Sequence, residues 1–247
     1  MIDEVKKLLS TKQKIIITTH QRPDGDAIGS SLGLYHFLIK KGHEVFFISP
    51  TAYPDFLKWI PGNEITIVYE DEKERCAKLV SEATLIFCLD FNKLYRLNDL
   101  GKEIEKSTAP KILIDHHLDP DDFAIAQFWN TKASSTCELV YEFILDLGEK
   151  ILIDASIATC LYTGILTDTD RFRVPTTSSN VHRIVADLLE FNVDHTNVYQ
   201  QIYESFSEDK LRMVGFSIRE KLEVHDEIKT GIIALERNDM NRFHAQS

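Results

Sequence analysis

An α/β fold, with a mostly parallel sheet and helices on both of its faces, is what the 247-residue sequence predicts. Three observations carry that reading. Short β-rich runs alternate with helical patterns as far as about residue 190, and strands that alternate with helices pair in parallel beneath two helical layers. The first strand candidate contains Ile15-Ile16-Ile17, a continuous apolar run of the kind a fully buried strand needs. Polar chemistry also collects at one kind of strand end: His20 follows the first run, Asp90 ends another, and Asp115-His116-His117 closes a third. Open parallel sheets bind ligands at the carboxyl ends of their strands.

In chain order, strands are predicted at 14–19, 44–49, 65–69, 84–90, 111–115 and 123–128. A helix is predicted over 28–41, where Ile28, Leu32, Tyr35 and Ile39 share a face and Gly42 supplies the stop. The segment 134–147 repeats the pattern with Leu139, Phe143 and Leu147, followed by Gly148. Residues 151–169 read as a helix with Asp168 near its C-terminal end, an unfavourable place for a negative charge unless a cation compensates it. From 177 to 223 the chain reads as largely helical in two or three segments, and 229–236 as a strand. One strand cannot bury itself, so the final stretch reads as the start of a second α/β unit whose remainder is missing from this sequence. There is no internal repeat and no low-complexity segment.

Composition bounds the function. Hydrophobic residues at 43% and charged residues at 27% describe a globular chain, and a formal net charge of −11 opposes a grip on long nucleic acid through its phosphates. Cys76, Cys88, Cys137 and Cys160 show no CxxC spacing, which speaks against a zinc ribbon or a dithiol motif. The charged N-terminus has no signal-peptide core, and no apolar run approaches the roughly 18 residues of a membrane span. A cytoplasmic protein is expected.

The chemistry is concentrated in "HQRPDGDAIGSSLGL", which crowds His20, Asp24 and Asp26 into seven positions. Carboxylates two residues apart repel one another in an extended loop, and a cation is the simplest physical remedy. Aspartate with neutral histidine suits Mn²⁺, Mg²⁺, Fe²⁺ or Zn²⁺, and a carboxylate-rich set leans towards the harder ions. Six candidate ligands are too many for one ion and suit two ions about 3.5–4 Å apart. The sequence contains no GxxxxGK[ST], GxGxxG or HExxH motif.

"HQRPDGDAIGSSLGL", the "DHH" at 115–117, Asp90 between them and "TGILTDT" after them together resemble the DHH phosphoesterase family. In order and spacing they are most similar to its nanoRNase/pAp phosphatase branch, which is RecJ-like. The resemblance implies that His20, Asp24 and Asp90 hold one metal while Asp26, Asp90, His116 and Asp168 hold the other, with Asp90 as the bridge. Mn²⁺ is the implied ion, with Mg²⁺ as the substitute. His117 would face the scissile phosphate and protonate the leaving oxygen, and Asp115 would orient a neighbouring histidine. Ser135 and Thr136, at a helix start, are the implied phosphate contacts, while Arg22 and Arg171 flank the two acidic motifs and read equally as phosphate contacts or as solvated ion pairs.

The implied activity is two-metal hydrolysis of short oligoribonucleotides, of 3′-phosphoadenosine 5′-phosphate, or of both. A pyrophosphatase or cyclic-dinucleotide phosphodiesterase would use the same ligands, and a nucleotide-binding module without turnover is a third reading. The expected partner is a small nucleotide or short single strand, with no membrane, and a homodimer is left open. The corresponding domains are a catalytic domain over 1–190, a helical linker over 191–212 and the beginning of a substrate-binding domain over 213–247. Two departures from the family stand out: Asp170 where glycine is usual after "TDT", and no glycine- and histidine-rich substrate loop. His36, His43, His182, His195, His225 and His244 fall outside the motifs and are expected on the surface or satisfied locally.

Overall fold

The computed structural model describes residues 1–205 and 207–243, so His244 lies outside the described residues. The chain divides into two units, Met1–Val198 and Tyr199–Ser247. The first unit runs α1 (Ile2–Leu8), β1 (Lys14–Thr18), α2 (Gly25–Lys40), β2 (Glu44–Ser49), β3 (Ile67–Val68), α3 (Lys73–Ser81) and β4 (Leu85–Leu89). It continues through α4 (Asp99–Lys106), β5 (Lys111–Asp115), β6 (Ala126–Trp129), α5 (Thr136–Leu147), α6 (Ala155–Asp168), α7 (Ser179–Leu189) and α8 (His195–Tyr199), the last reaching the boundary.

All six strands pair in parallel, in the order β3-β2-β1-β4-β5-β6. Alternate side chains serve the two helical layers. Ile16, Ile86, Cys88 and Leu113 join Cys76 and Val80 of α3 and Leu100 and Ile104 of α4 in one buried cluster. On the other face Phe87 of β4 meets Phe143 of α5 edge-on, with ring centroids 5.9 Å apart. The strand order reverses direction between β1 and β4, and the crevice beyond the carboxyl ends at such a reversal is where this architecture receives ligands.

Helix ends follow local chemistry. The Asp24 carboxylate caps α2 by accepting from the Asp26 and Ala27 amides, and Gly42 beyond its end takes φ +87°. Gly148 takes φ +81° directly after α5. The helix predicted from 151 begins only at Ala155, because Asp154 caps it through the Ile157 amide. The strand predicted at 123–128 lies at Ala126–Trp129.

The second unit contains α9 (Glu208–Phe216), an antiparallel hairpin of β7 (Leu222–His225) and β8 (Thr230–Ile233), and α10 (Arg237–Arg242). Helix was predicted as far as 223, whereas Leu222 and Glu223 open a strand. Ladder bonds to Ile233 and Ile232 override the local helical pattern there. The strand predicted at 229–236 ends at Ile233, and Glu236 instead caps α10 in a capping box with Asp239.

Candidate metal centre

The switch-point crevice collects side chains from four separated segments. His20 stands beyond β1, Asp24 and Asp26 open α2, Asp90 follows β4, Asp115-His116-His117 close β5, and Asp168 ends α6. Asp90 leaves its strand with φ +62°, a left-handed backbone that aspartate tolerates better than most residues and that turns the carboxylate into the crevice end.

Asp90 is buried and central. Its Oδ2 lies 3.4 Å from His20 Nε2, and its Oδ1 lies 3.6 Å from His116 Nε2 and 3.7 Å from His117 Nδ1. His116 Nε2 also lies 3.9 Å from Asp26 Oδ2 and 3.5 Å from Asp168 Oδ2, while His20 Nε2 is 4.0 Å from Asp24 Oδ1. Three sets of donors therefore converge closely enough to hold an ion: His20–Asp24–Asp90, Asp26–His116–Asp168 and Asp90–His116–His117.

The donors fit divalent cations on the evidence of their second contacts. His20 Nδ1 sits 2.7 Å from Gln21 O, and His116 Nδ1 sits 3.3 Å from Ala133 O. Donating Nδ1–H to a carbonyl leaves each Nε2 lone pair facing the acids, the tautomer that ligation requires. Asp26 is held rigidly by α5, accepting from the Thr136 amide at 2.6 Å and the Cys137 amide at 2.9 Å.

Without an ion these acids strain the local protonation balance. Burial, reinforced by the charges of Asp90 and Asp168, pushes the Asp26 carboxyl well up. Burial also lifts Asp168 to about 6, with Asp90 and Asp24 adding repulsion. Burial opposes charge on His116, yet Asp90, Asp26 and Asp168 outweigh it and push the imidazole up to about 10. His20 is likewise raised by Asp90 against its burial, and Asp90 itself is lowered by His116 and His20 against its own. A metal-free site thus recruits protons where cations would otherwise sit.

The remaining expected residues divide. His117 Nδ1 lies 2.8 Å from Asp115 Oδ1, which orients the ring and leaves Nε2 available on the cavity side. Asp115 is fully buried, and its Oδ2 has no hydrogen-bond partner. Ser135 and Thr136 require correction: both are fully buried, so neither offers a surface to phosphate. The Ser135 hydroxyl caps α5 at the Glu138 amide, and the Thr136 hydroxyl donates to Asp90 Oδ1 at 2.9 Å. Thr136 organises a carboxylate, a role hidden in the sequence because it depends on α5 meeting the end of β4. Arg171 pairs with Asp170 at 2.8 Å and does not line the cavity. Asp170 takes φ +43°, which explains how aspartate serves where glycine is usual.

The cavity over this cluster measures about 690 Å³ and adds residues that motif reasoning missed: Asn92, Tyr95, Arg96, Leu118 and Thr131. Tyr95 is 72% exposed and Leu118 70%, which is unusual for such large side chains beside an acidic crevice. Their only sequence signal is proximity to Asp90 and to the His pair.

A doubly wound parallel sheet that gathers carboxylates and imidazoles at its switch point belongs among the α/β proteins equipped to hold metal ions. More narrowly, the DHH family, N-terminal domain, matches residues 14–165, and the chain belongs to this family. It is 37% identical over 193 residues to the bifunctional oligoribonuclease and PAP phosphatase NrnA of Thermus thermophilus, spanning 78% of this chain and 54% of that one. The protein of the same description in Bacillus subtilis is 28% identical over 210 residues, 83% of this chain and 62% of its own. The chain thus spans little more than half the length of these relatives. A crystal structure of an exopolyphosphatase-related protein from Bacteroides fragilis superposes with a TM-score of 0.96 at 38% identity, covering 99% of this chain and 72% of that one. Among the described residues, no helix is long and apolar enough to cross a membrane.

Proposed function

We propose that the chain is the metal-dependent phosphoesterase domain of an enzyme that hydrolyses short oligoribonucleotides, nucleoside 3′,5′-bisphosphates, or both. The observation that carries this reading is the buried Asp90 carboxylate shared between two donor sets, one oxygen facing His20 and the other His116. His20, Asp24 and Asp90 would hold one divalent ion and Asp26, Asp90, His116 and Asp168 the other, with Mn²⁺ favoured because oxygen donors dominate and no thiolate contributes. Bound there, the ions supply Lewis acidity at the phosphoryl group and lower the pKa of water.

The chain's own residues supply the rest. The buried Asp115 carboxylate holds His117 by Nδ1 and fixes the orientation of the ring, so that its other nitrogen, Nε2, is the one left to serve the leaving oxygen as a general acid. Thr136 and the α5 amides keep Asp90 and Asp26 in position before substrate arrives, so the site spends little binding energy on ordering itself. Exposed Tyr95 and Leu118 at the cavity rim offer an apolar surface on which a nucleobase can stack.

The relatives named as oligoribonuclease and PAP phosphatase support the choice of substrate class. The test is release of nucleotide from a dinucleotide and of phosphate from adenosine 3′,5′-bisphosphate by the Mn²⁺-loaded chain, with chelator and His117→Ala as controls. Metal-dependent turnover lost in both controls is the expected result. Absence of turnover on both substrates and on an activated nitrophenyl ester would remove the proposal.

A further inference from the structure

We infer that Arg96 binds the phosphate that is not cleaved, so that the cavity selects a nucleotide bearing a second phosphate; this rests on the phosphoesterase reading above. Among the described residues, Arg96 is the one lysine or arginine lining the cavity over the cluster, where Asp24, Asp90 and Asp168 also line it. Elsewhere in this unit cations find acids readily, as Lys14 does with Glu82 and Lys150 with Asp187. No described side chain makes an ion pair or hydrogen bond with the Arg96 guanidinium, although three carboxylates share its cavity.

Its backbone is fixed. Arg96 lies in the 3₁₀ turn Leu94–Leu97 beyond β4, and its carbonyl accepts from the Gln21 amide at 2.7 Å, which ties the turn to the residue after His20. Its amide donates to Lys93 O at 3.1 Å, and the next residue, Leu97, is fully buried. Behind the turn Gly101 packs so closely that an added Cβ would lie 2.3 Å from Leu94 O. A fixed backbone with an unpaired planar cation suits bidentate capture of phosphate. Two divalent ions would balance the carboxylates and leave Arg96 as the excess positive charge of the wall.

The alternatives nearby are committed elsewhere. Arg171 pairs with Asp170, and the Asn92 amide donates to Leu118 O at 2.6 Å. A contact remote from the reacting phosphorus can raise kcat/KM as well as affinity, because its binding energy is available to position the ester that reacts.

The test uses the Mn²⁺-loaded chain in a His117→Ala background, which slows turnover, and measures binding of adenosine 3′,5′-bisphosphate and of adenosine 5′-monophosphate by calorimetry. With Arg96 present, the bisphosphate should bind at least about 10-fold more tightly than the monophosphate. Arg96→Gln should weaken the bisphosphate about 10- to 100-fold and erase most of that preference, with Arg96→Lys intermediate and metal content equal throughout. Equal weakening of both ligands by Arg96→Gln, no weakening of either, or no bisphosphate binding even with Arg96 present would overturn the assignment. Hydrolysis by the chain with His117 intact is scored separately. An Arg96-dependent preference without turnover of any phosphoester would discard the phosphoesterase reading and keep Arg96 as a phosphate-binding residue.

Discussion

Asp90 concentrates the most consequences in one side chain. Because its two oxygens face different histidines, Asp90→Ala should weaken both ions together, and metal analysis showing loss of only one would refute the shared role. The adjacent histidines should separate. His116 meets three acids through Nε2, so His116→Ala should lower metal content. His117 is committed through Nδ1 to Asp115, so His117→Ala should keep the metals and reduce kcat by roughly 10²- to 10⁴-fold, the usual range for a lost general acid. Equal metal loss in the two variants would make His117 a ligand through the Asp90–His116–His117 set instead.

Among the elements, the contact of α2 with α6 decides whether Asp26 and Asp168 meet. Gly25, Gly29 and Gly33 of α2 and Gly164 of α6 allow the helices to approach. A Cβ on Gly29 would lie 2.5 Å from the Cys160 carbonyl, and one on Gly164 would lie 2.2 Å from Cys137 Sγ and 2.9 Å from Asp26 Oδ1. Gly164→Ala should therefore destabilise the protein by about 1–3 kcal/mol through overpacking, read from urea unfolding. Because Asp26 is one of the crowded groups, metal affinity should fall with it. A variant with unchanged stability and unchanged metal affinity would show that the helices can part without cost.

For the molecule as a whole, protons and bound cations would compete for one cluster. Asp168 sits at about 6 and Asp26 is also raised, so in the metal-free protein each stabilises the fold when protonated and loses that contribution as pH rises through its folded value. Metal bound there would act in the opposite sense, since cations bind deprotonated carboxylates. The rise in melting temperature on adding Mn²⁺ should be larger at pH 8 than at pH 5.5, and calorimetry should detect proton release on binding. A pH-independent shift would place the stabilising ion elsewhere.

Much of this was legible in residues 14–168. Apolar runs and helix stops such as Gly42 and Gly148 are local signals, and local signals determine strands and helices directly. The rule that strand ends carry ligands then placed His20, Asp90 and the His pair at one edge of the sheet before any contact was known. Other features escaped for equally physical reasons. Leu222 and Glu223 took their conformation from a partner strand rather than from their neighbours. Ser135 and Thr136 looked like a phosphate cradle because a helix start is one, and only the packing of α5 beneath Asp26 and Asp90 turned its amides and the Thr136 hydroxyl inward. Arg96 and Tyr95 carry no motif, since lining a cavity depends on where a turn is anchored. The sequence by itself determined the kind of sheet and the atoms available to bind a cation. Tertiary structure alone decided which of those atoms share a centre, which are buried beneath it and which face the ligand, because these are matters of distance between segments far apart in the chain.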